Sequence, residues 1–363
     1  VDFLVRRDDL RTTRIDDAAP PASDELAHGE VLLRVDEWAL TANNVTYAAF
    51  GDAMGYWRFF PAPDGWGRIP VWGFADVEVS AHPELEVGER LYGYLPMSTH
   101  LVVRPGRVRP GGFADASEHR AELPAVYNQY ERASAMPAHD PTREREQSVL
   151  RPLFTTSFLI DDWLADNDLF GAGAVVLSSA SSKTSLGLAH QLSRHRRAAV
   201  VGLTSPANHA LVERTGWYDR ILTYDALDEL RHLGPAVFVD MAGDAAVLER
   251  VHHALAPDLR ASCRVGATHW EEAGPLAPDL PGPAPQLFFA PSQVDKRRAD
   301  WGPGGFEERF AGEWSAFLSS VDGWLELTVA AGPDEVDAVY HAVLEGRSRP
   351  EQGHVLSMWS RTD

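Results

Sequence analysis

Hydrophobic and polar positions follow two different rhythms along this chain, and the change between them divides it. Up to about residue 110 the apolar positions come in short runs broken by turn residues: 30–35 (EVLLRV), 77–79, 90–94 and 100–103 (HLVV). Runs this short, rich in Val, Leu and Tyr and bounded by Gly, Pro, Asn and Asp, read as strands, and their close spacing predicts a small barrel. Between them, Thr41 to Pro70 is crowded with aromatics and glycine (NNVTYAAFGDAMGYWRFFPAPDGWG). That segment is too irregular for a strand pair and too glycine-rich for a long helix, so it is expected to be a substrate-facing loop or a packed cover.

Residues 132–151 are polar and proline-bearing and predict a surface excursion, ahead of a helix over about 153–167. From Gly173 the pattern changes: AVVLSS, AAVVGLTS, RILTY and AVFVDMAG alternate with helical stretches over 185–194, 206–215 and 246–255. Strands that are apolar throughout are buried on both faces, so this half is expected to form a parallel, doubly wound sheet, with ligands at the carboxyl ends of its strands. A proline-rich stretch (275–291) follows, then Trp301, Phe306, Phe310, Trp314 and Phe317, and finally TVA and HVLSM strands expected to return to the first domain.

Composition narrows the function. A formal charge of -20 over 363 residues argues against nucleic acid and anionic membrane as partners, because both would repel the mean field. No stretch approaches the roughly 18 uninterrupted apolar residues of a membrane span, and the opening VDFLVRRDDLRTTRID has no signal-peptide core, so a cytoplasmic protein is expected. Cys263 is the single cysteine, which rules out a disulfide within the chain and a zinc site built of several cysteines. The histidines show no metal-ligand spacing, and no metal is expected. Of the 33 basic residues only Lys183 and Lys296 are lysine.

Taken in order, EVLLRVDEWALTANNVTYAAFG, VEVSAHPELEVGERLYGYLPMSTHLVVRPGRV, AVVLSSASSKTSLGLAHQLS, VVGLTSPANHALVERTGWYDRILTYD and FVDMAGDAAVLERVHHAL resemble the medium-chain dehydrogenase/reductase superfamily, on its zinc-free quinone-reductase and enoyl-reductase side. The resemblance covers nearly the whole chain. Within it, RPLFTTSFLIDDWL and LSSASSKTSLGLA are similar to an uncharacterised bacterial group. The implied fold is α/β: a GroES-like β-barrel catalytic domain (1–150 and 291–363) and a Rossmann dinucleotide-binding domain (151–290). The implied activity is that of a zinc-independent, NADP-dependent oxidoreductase, and relatives of this kind are commonly homodimers.

A dinucleotide pyrophosphate rests on a helix amino terminus, where unpaired N–H groups and the helix dipole favour negative charge and glycines let the backbone approach. Aligned on the helix, the family's last two glycines fall at Thr184 and Leu186. Ser181, Ser182 and Thr184 offer hydroxyls in their place and Lys183 a point charge; the alternative is that the serines only cap the helix. The turn after the second strand has no Asp or Glu to bind a ribose 2′-hydroxyl, which favours NADPH, with Thr204, Ser205 and Asn208 as 2′-phosphate contacts; ordinary turn chemistry is the competing reading. Asp240, Ala242 and Gly243 would lie at the next strand end, with capping the alternative for Asp240.

Metal-free reduction of a polarised double bond needs a group to hold the developing enolate oxygen and a proton donor. In the aromatic loop Tyr56 is the first choice as donor, by its place a few residues beyond Gly51, and Tyr47 the second; packing competes for both. Asn43 and Asn44 stand where the family commonly has a polar contact to nicotinamide or substrate, with a turn role the equal alternative. For Tyr127, Asn128 and Tyr130 the packing reading is preferred. The aromatic content favours a small apolar or ring-bearing substrate. Two other readings stay open: a lyase or C–C bond-cleaving enzyme with a modified or lost dinucleotide site, and a non-catalytic NADPH-binding paralogue.

Overall fold

The computed structural model describes residues 1–17, 19–265 and 279–360, so positions 275–278 of the proline-rich stretch lie outside the described residues. The chain forms two compact units, Val1–Arg151 with Leu327–Asp363, and Pro152–Glu326.

The first unit is built on a sheet in the order Glu326–Ala331, Gln352–Ser357, Val31–Leu40, Pro70–Ser80, Arg90–Pro96, Gln129–Arg132, Gly112–Asp115, Pro105–Arg109, with His100–Val103 also paired to Val31–Leu40. Its central pairs are antiparallel, and their register sets Trp72 opposite Tyr94 and Phe74 opposite Tyr92. Because side chains alternate across a strand, these four aromatics share one face. On the other face Gly73 meets Gly93, where a Cβ on Gly93 would lie 2.6 Å from the Tyr130 ring and one on Gly73 2.2 Å from the Glu37 carbonyl. The predicted loop over 41–70 is a cover made of a short helix, Ala42–Ala49, and a 3-10 turn, Tyr56–Arg58.

The helix expected over 153–167 runs instead from Glu144 to Asp166. Its start was hidden by polar residues and by Pro152, yet Val149 and Leu150 are buried, Asp140 accepts from the Thr142 N–H just ahead of it, and Glu144 and Glu146 lie in the first turn, where negative charge is favoured.

The second unit carries a parallel sheet in the order Arg220–Thr223, Ala199–Thr204, Ala174–Leu177, Ala236–Asp240, Leu259–Arg264, Gln286–Leu287. The order reverses beside Ala174–Leu177, the switch point at which such sheets bind ligands. One face is closed by Leu248, Val251 and Leu255 of helix Ala245–Leu255 packed with Val176, Val201 and Phe238. The expected return to the first domain at residue 291 is corrected: helices Ala290–Trp301 and Gly305–Leu318 stay with the second unit. Phe306, Phe310, Trp314 and Phe317 recur at helical spacing, so they form one stripe, and that stripe packs on helix Glu144–Asp166: Phe317 stacks on Phe154 at 4.6 Å and Phe310 meets Phe158 at 5.6 Å. The final strands and helix Pro333–Leu344 between them belong to the first unit.

A charge cluster in the second unit makes its stability pH-dependent. His195 Nδ1 pairs with the buried Asp161 carboxylate at 3.0 Å, which Arg197 also meets at 2.9 Å. The hydrogen bond to Asp161, with its charge and that of Glu313, raises the His195 pKa against a smaller opposing effect of burial. The folded pKa therefore exceeds the unfolded value of about 6.5, so this contribution is full below that pH and disappears as pH rises through the folded value. We expect His195→Gln to lower the melting temperature more at pH 5.5 than at pH 9; equal losses at both would show that the pair does not couple to folding.

Candidate functional site

In the second unit, strand Ala174–Leu177 feeds a loop into helix Lys183–His195. Ser182 is the helix cap, accepting from the Ser185 N–H at 3.3 Å. Ser181 is buried, and its hydroxyl accepts from the Asn208 amide at 3.1 Å, so two residues expected to contact cofactor meet each other. Lys183 and Thr184, both half-buried, open the helix, and the Thr184 carbonyl accepts from the Ser157 hydroxyl at 2.7 Å. Gly187 lets the two helices approach, since a Cβ there would lie 2.7 Å from Ser157 Oγ.

At the next strand ends, Ser205 starts a 3-10 turn, Pro206–Asn208, and Thr204 is buried with no hydrogen-bond partner for its hydroxyl among the described residues. Asp240 is fully buried; its Oδ1 accepts from the Ser178 hydroxyl at 2.7 Å and from the N–H groups of Ala242 and Gly243 at 3.1 and 3.2 Å. The carboxylate thus locks its own turn, as the capping alternative for Asp240 describes, with the Ala242 and Gly243 N–H groups donating to it. The remaining oxygen, Oδ2, has no hydrogen-bond partner among the described residues and lies 3.8 Å from Arg264 Nε. Burial raises the Asp240 pKa against these bonds. Cys263, one strand over, is buried and its thiol is pushed up to about 12, which rules it out as a thiolate nucleophile near neutral pH.

The residues present fit a dinucleotide: a hydroxyl-lined turn at the amino end of a 13-residue helix, at the sheet's switch point, beside the orphaned Thr204 hydroxyl. Among the described residues there is no group of three or more His, Cys, Asp or Glu able to hold a metal, and no helix long and apolar enough to cross a membrane.

The first unit holds the second candidate site. Tyr47 from helix Ala42–Ala49 and Tyr56 from the 3-10 turn meet with ring centroids 4.6 Å apart. Tyr127, set aside by sequence as packing, joins them at 6.4 and 6.0 Å and stacks on Tyr94 at 4.8 Å. Trp72, across the strand pair from Tyr94, closes the cluster at 5.1 Å from it. Burial raises the pKa of Tyr47, of Tyr56 and of Tyr127, the last well above the ordinary phenol range, so all three stay neutral donors through physiological pH. Their hydroxyls act on one another: Tyr47 on Tyr127, and Tyr127 on Tyr56. The side chains of Asn43 and Trp72 also act on the Tyr47 hydroxyl, although the Trp72 indole N–H, like the Tyr94 hydroxyl, completes no hydrogen bond among the described residues.

Asn44 takes the turn role. Its side-chain oxygen accepts from the Thr41 N–H at 2.8 Å and the Thr41 hydroxyl at 3.0 Å, and its amide donates to the Pro70 carbonyl at 2.9 Å, so it is a buried helix-capping residue. Its neighbour Asn43 is the one whose side chain lowers the Tyr47 pKa against burial. Tyr130 turns to the opposite face, donating to the Tyr94 carbonyl at 2.7 Å, and Asn128 donates to the Arg120 carbonyl at 3.2 Å. Sequence reasoning missed Tyr94 and the place of Trp72 because which face a strand residue occupies depends on register.

A family model described as "Protein of unknown function (DUF2855)" matches residues 38–349. No curated protein matches the chain. Solved structures similar to it include CurA from Vibrio vulnificus in complex with NADPH, at 15% identity and TM-score 0.59, covering 97% of this chain and 95% of that one. The yhdH oxidoreductase from Salmonella enterica in complex with NADP is 14% identical with TM-score 0.56, covering 98% and 99%. The CurF ER cyclopropanase from the curacin A biosynthetic pathway is 15% identical with TM-score 0.56, covering 97% and 96%. At this identity the likeness gives the fold alone: a GroES-like sheet-rich unit and a Rossmann unit.

Proposed function

The chain belongs to the DUF2855 family, described as one of unknown function, and from its two sites we propose that it is an NADPH-dependent, zinc-independent reductase of a C=C bond conjugated to a carbonyl, or of a quinone. The observation that carries this reading is the gathering of three neutral phenols, Tyr47, Tyr56 and Tyr127, in one aromatic cluster of the first unit. The NADPH and NADP complexes of two structures with this fold support it. NADPH, when bound, supplies the hydride that such a reduction needs. Ser181, Ser182, Lys183 and Thr184 would hold its pyrophosphate, and Thr204 and Ser205 its 2′-phosphate, in a turn with no carboxylate to repel that charge.

The phenols do the protein's part of the chemistry. They hold the carbonyl oxygen by hydrogen bonds that strengthen as it gains charge, and Tyr56, with Tyr47 second, returns a proton from its phenol oxygen. The aromatic walls exclude water and favour a flat, apolar or ring-bearing substrate.

One observation favours a second reading, an enzyme that cleaves C–C bonds on this fold: glycines of the phosphate loop are replaced by Thr184 and Leu186. Fluorescence titration with NADPH and NADH separates the two. We expect NADPH to bind more tightly than NADH, and Lys183→Ala to weaken NADPH about tenfold or more, as loss of a charge-assisted contact does. Failure of the wild type to bind either nucleotide would remove hydride transfer; binding without turnover of any enone or quinone would leave a non-catalytic nucleotide-binding protein.

A further inference from the structure

Three consecutive residues of the phosphate loop are each tied to the segment that follows the second strand of the parallel sheet. The Ser179 N–H donates to the Tyr224 hydroxyl at 2.8 Å. The Ala180 carbonyl accepts from the Tyr218 hydroxyl at 2.8 Å. The Ser181 hydroxyl accepts from the Asn208 amide at 3.1 Å. Tyr218 and Tyr224 flank the edge strand Arg220–Thr223, and both phenols are held neutral by burial, Tyr218 well above its ordinary range and Tyr224 pushed up to about 12. Neither residue belongs to the loop in sequence.

The ties fall where the loop departs from ordinary backbone. Ser179 has φ +48°, the left-handed region that glycine enters freely and serine does not. Its N–H is the group that Tyr224 holds. Tyr218 reaches Ala180 only because residue 202 is glycine: a Cβ there would lie 2.7 Å from the Tyr218 ring and 2.9 Å from the Ala180 Cβ. Strand, ring and loop are therefore interlocked, and the interlock is built from residues that a glycine-rich loop would not need.

We propose that Tyr218, Tyr224 and Asn208 are positioning residues that hold the loop 179–181 in a fixed shape by side-chain bonds, so that the amino end of helix Lys183–His195 meets a dinucleotide pyrophosphate without reorganising. This rests on the NADPH reading above. A preformed loop gains affinity because ordering is not charged to binding. A glycine loop gains its shape from backbone freedom, whereas this one is held by side-chain bonds from outside.

The test uses the full chain with Tyr218→Phe and Tyr224→Phe, which keep the rings and remove one hydrogen bond each. Amide hydrogen exchange of residues 179–183 in the nucleotide-free protein is expected to accelerate in both variants, and NADPH binding, followed by nicotinamide fluorescence, to weaken about tenfold. Adding Ser179→Gly to Tyr224→Phe is expected to recover most of the affinity, because glycine adopts the left-handed conformation without support. Unchanged exchange overturns the clamp, and faster exchange with unchanged NADPH affinity overturns its role in binding. If the wild type itself binds no NADPH, the functional reading fails, while the exchange measurement still decides whether the clamp holds the loop.

Discussion

Tyr56→Phe is expected to lower kcat for an enone or quinone by about 10²–10⁴, the range over which a positioned proton donor acts, while leaving NADPH affinity and KM nearly unchanged. Phenylalanine keeps the ring contacts with Tyr47 at 4.6 Å and Tyr127 at 6.0 Å, so the loss is confined to the hydroxyl and the melting temperature should barely move. The pH dependence follows from burial, which raises the Tyr56 pKa above that of a free phenol. The donor stays protonated across neutral pH and its ionisation should leave kcat flat from about pH 6 to 9. A variant that keeps more than about a third of the wild-type kcat would remove Tyr56 as donor, and Tyr47→Phe would be next.

Arg120→Met is expected to destabilise the first unit by about 3–5 kcal/mol, the usual result of removing one partner from a buried ion pair. Arg120 and Asp115 have side chains 1% exposed and meet at 3.1 Å. The guanidinium also donates to the Phe59 carbonyl and to the Tyr130 hydroxyl, both at 3.2 Å, and lies 4.7 Å over the Phe60 ring. Phe59 in turn packs on Tyr94 and Tyr127 at 5.2 and 5.5 Å, so the pair props the wall of the tyrosine cluster. Methionine fills similar volume but leaves the Asp115 carboxylate buried and uncompensated. Adding Asp115→Asn should restore much of the loss. Urea unfolding measures both, and a change below about 1 kcal/mol for the single variant would show that the pair contributes little.

Legibility followed the range of the interactions. The hydroxyl-rich loop was visible because it lies between an apolar strand and an amphipathic helix in consecutive residues. Tyr47 and Tyr56 were visible as alternative donors because one short segment carries both, and the structure adds that their rings meet. Tyr127 looked like core from sequence, and the structure adds that its ring meets those of Tyr47 and Tyr56. Asn44 and Asp240 read from sequence as either ligand contacts or caps because polar residues at element ends serve both, and only the structure shows their capping partners, Thr41, Pro70 and the 242–243 N–H groups.

The amino-acid sequence by itself determined the two rhythms of the chain, the parallel sheet and its hydroxyl-rich loop, and the aromatic segment that supplies two of three phenols. These are local patterns of burial and turn chemistry, fixed within a few residues of one another. Only the tertiary structure decided that the aromatic stripe from Phe306 to Phe317 belongs with helix Glu144–Asp166, that Trp72 faces Tyr94, and that Tyr218 and Tyr224 hold the loop. Each of those depends on register or on contacts between residues far apart in the chain, and the energy that selects them comes from packing that no single segment contains.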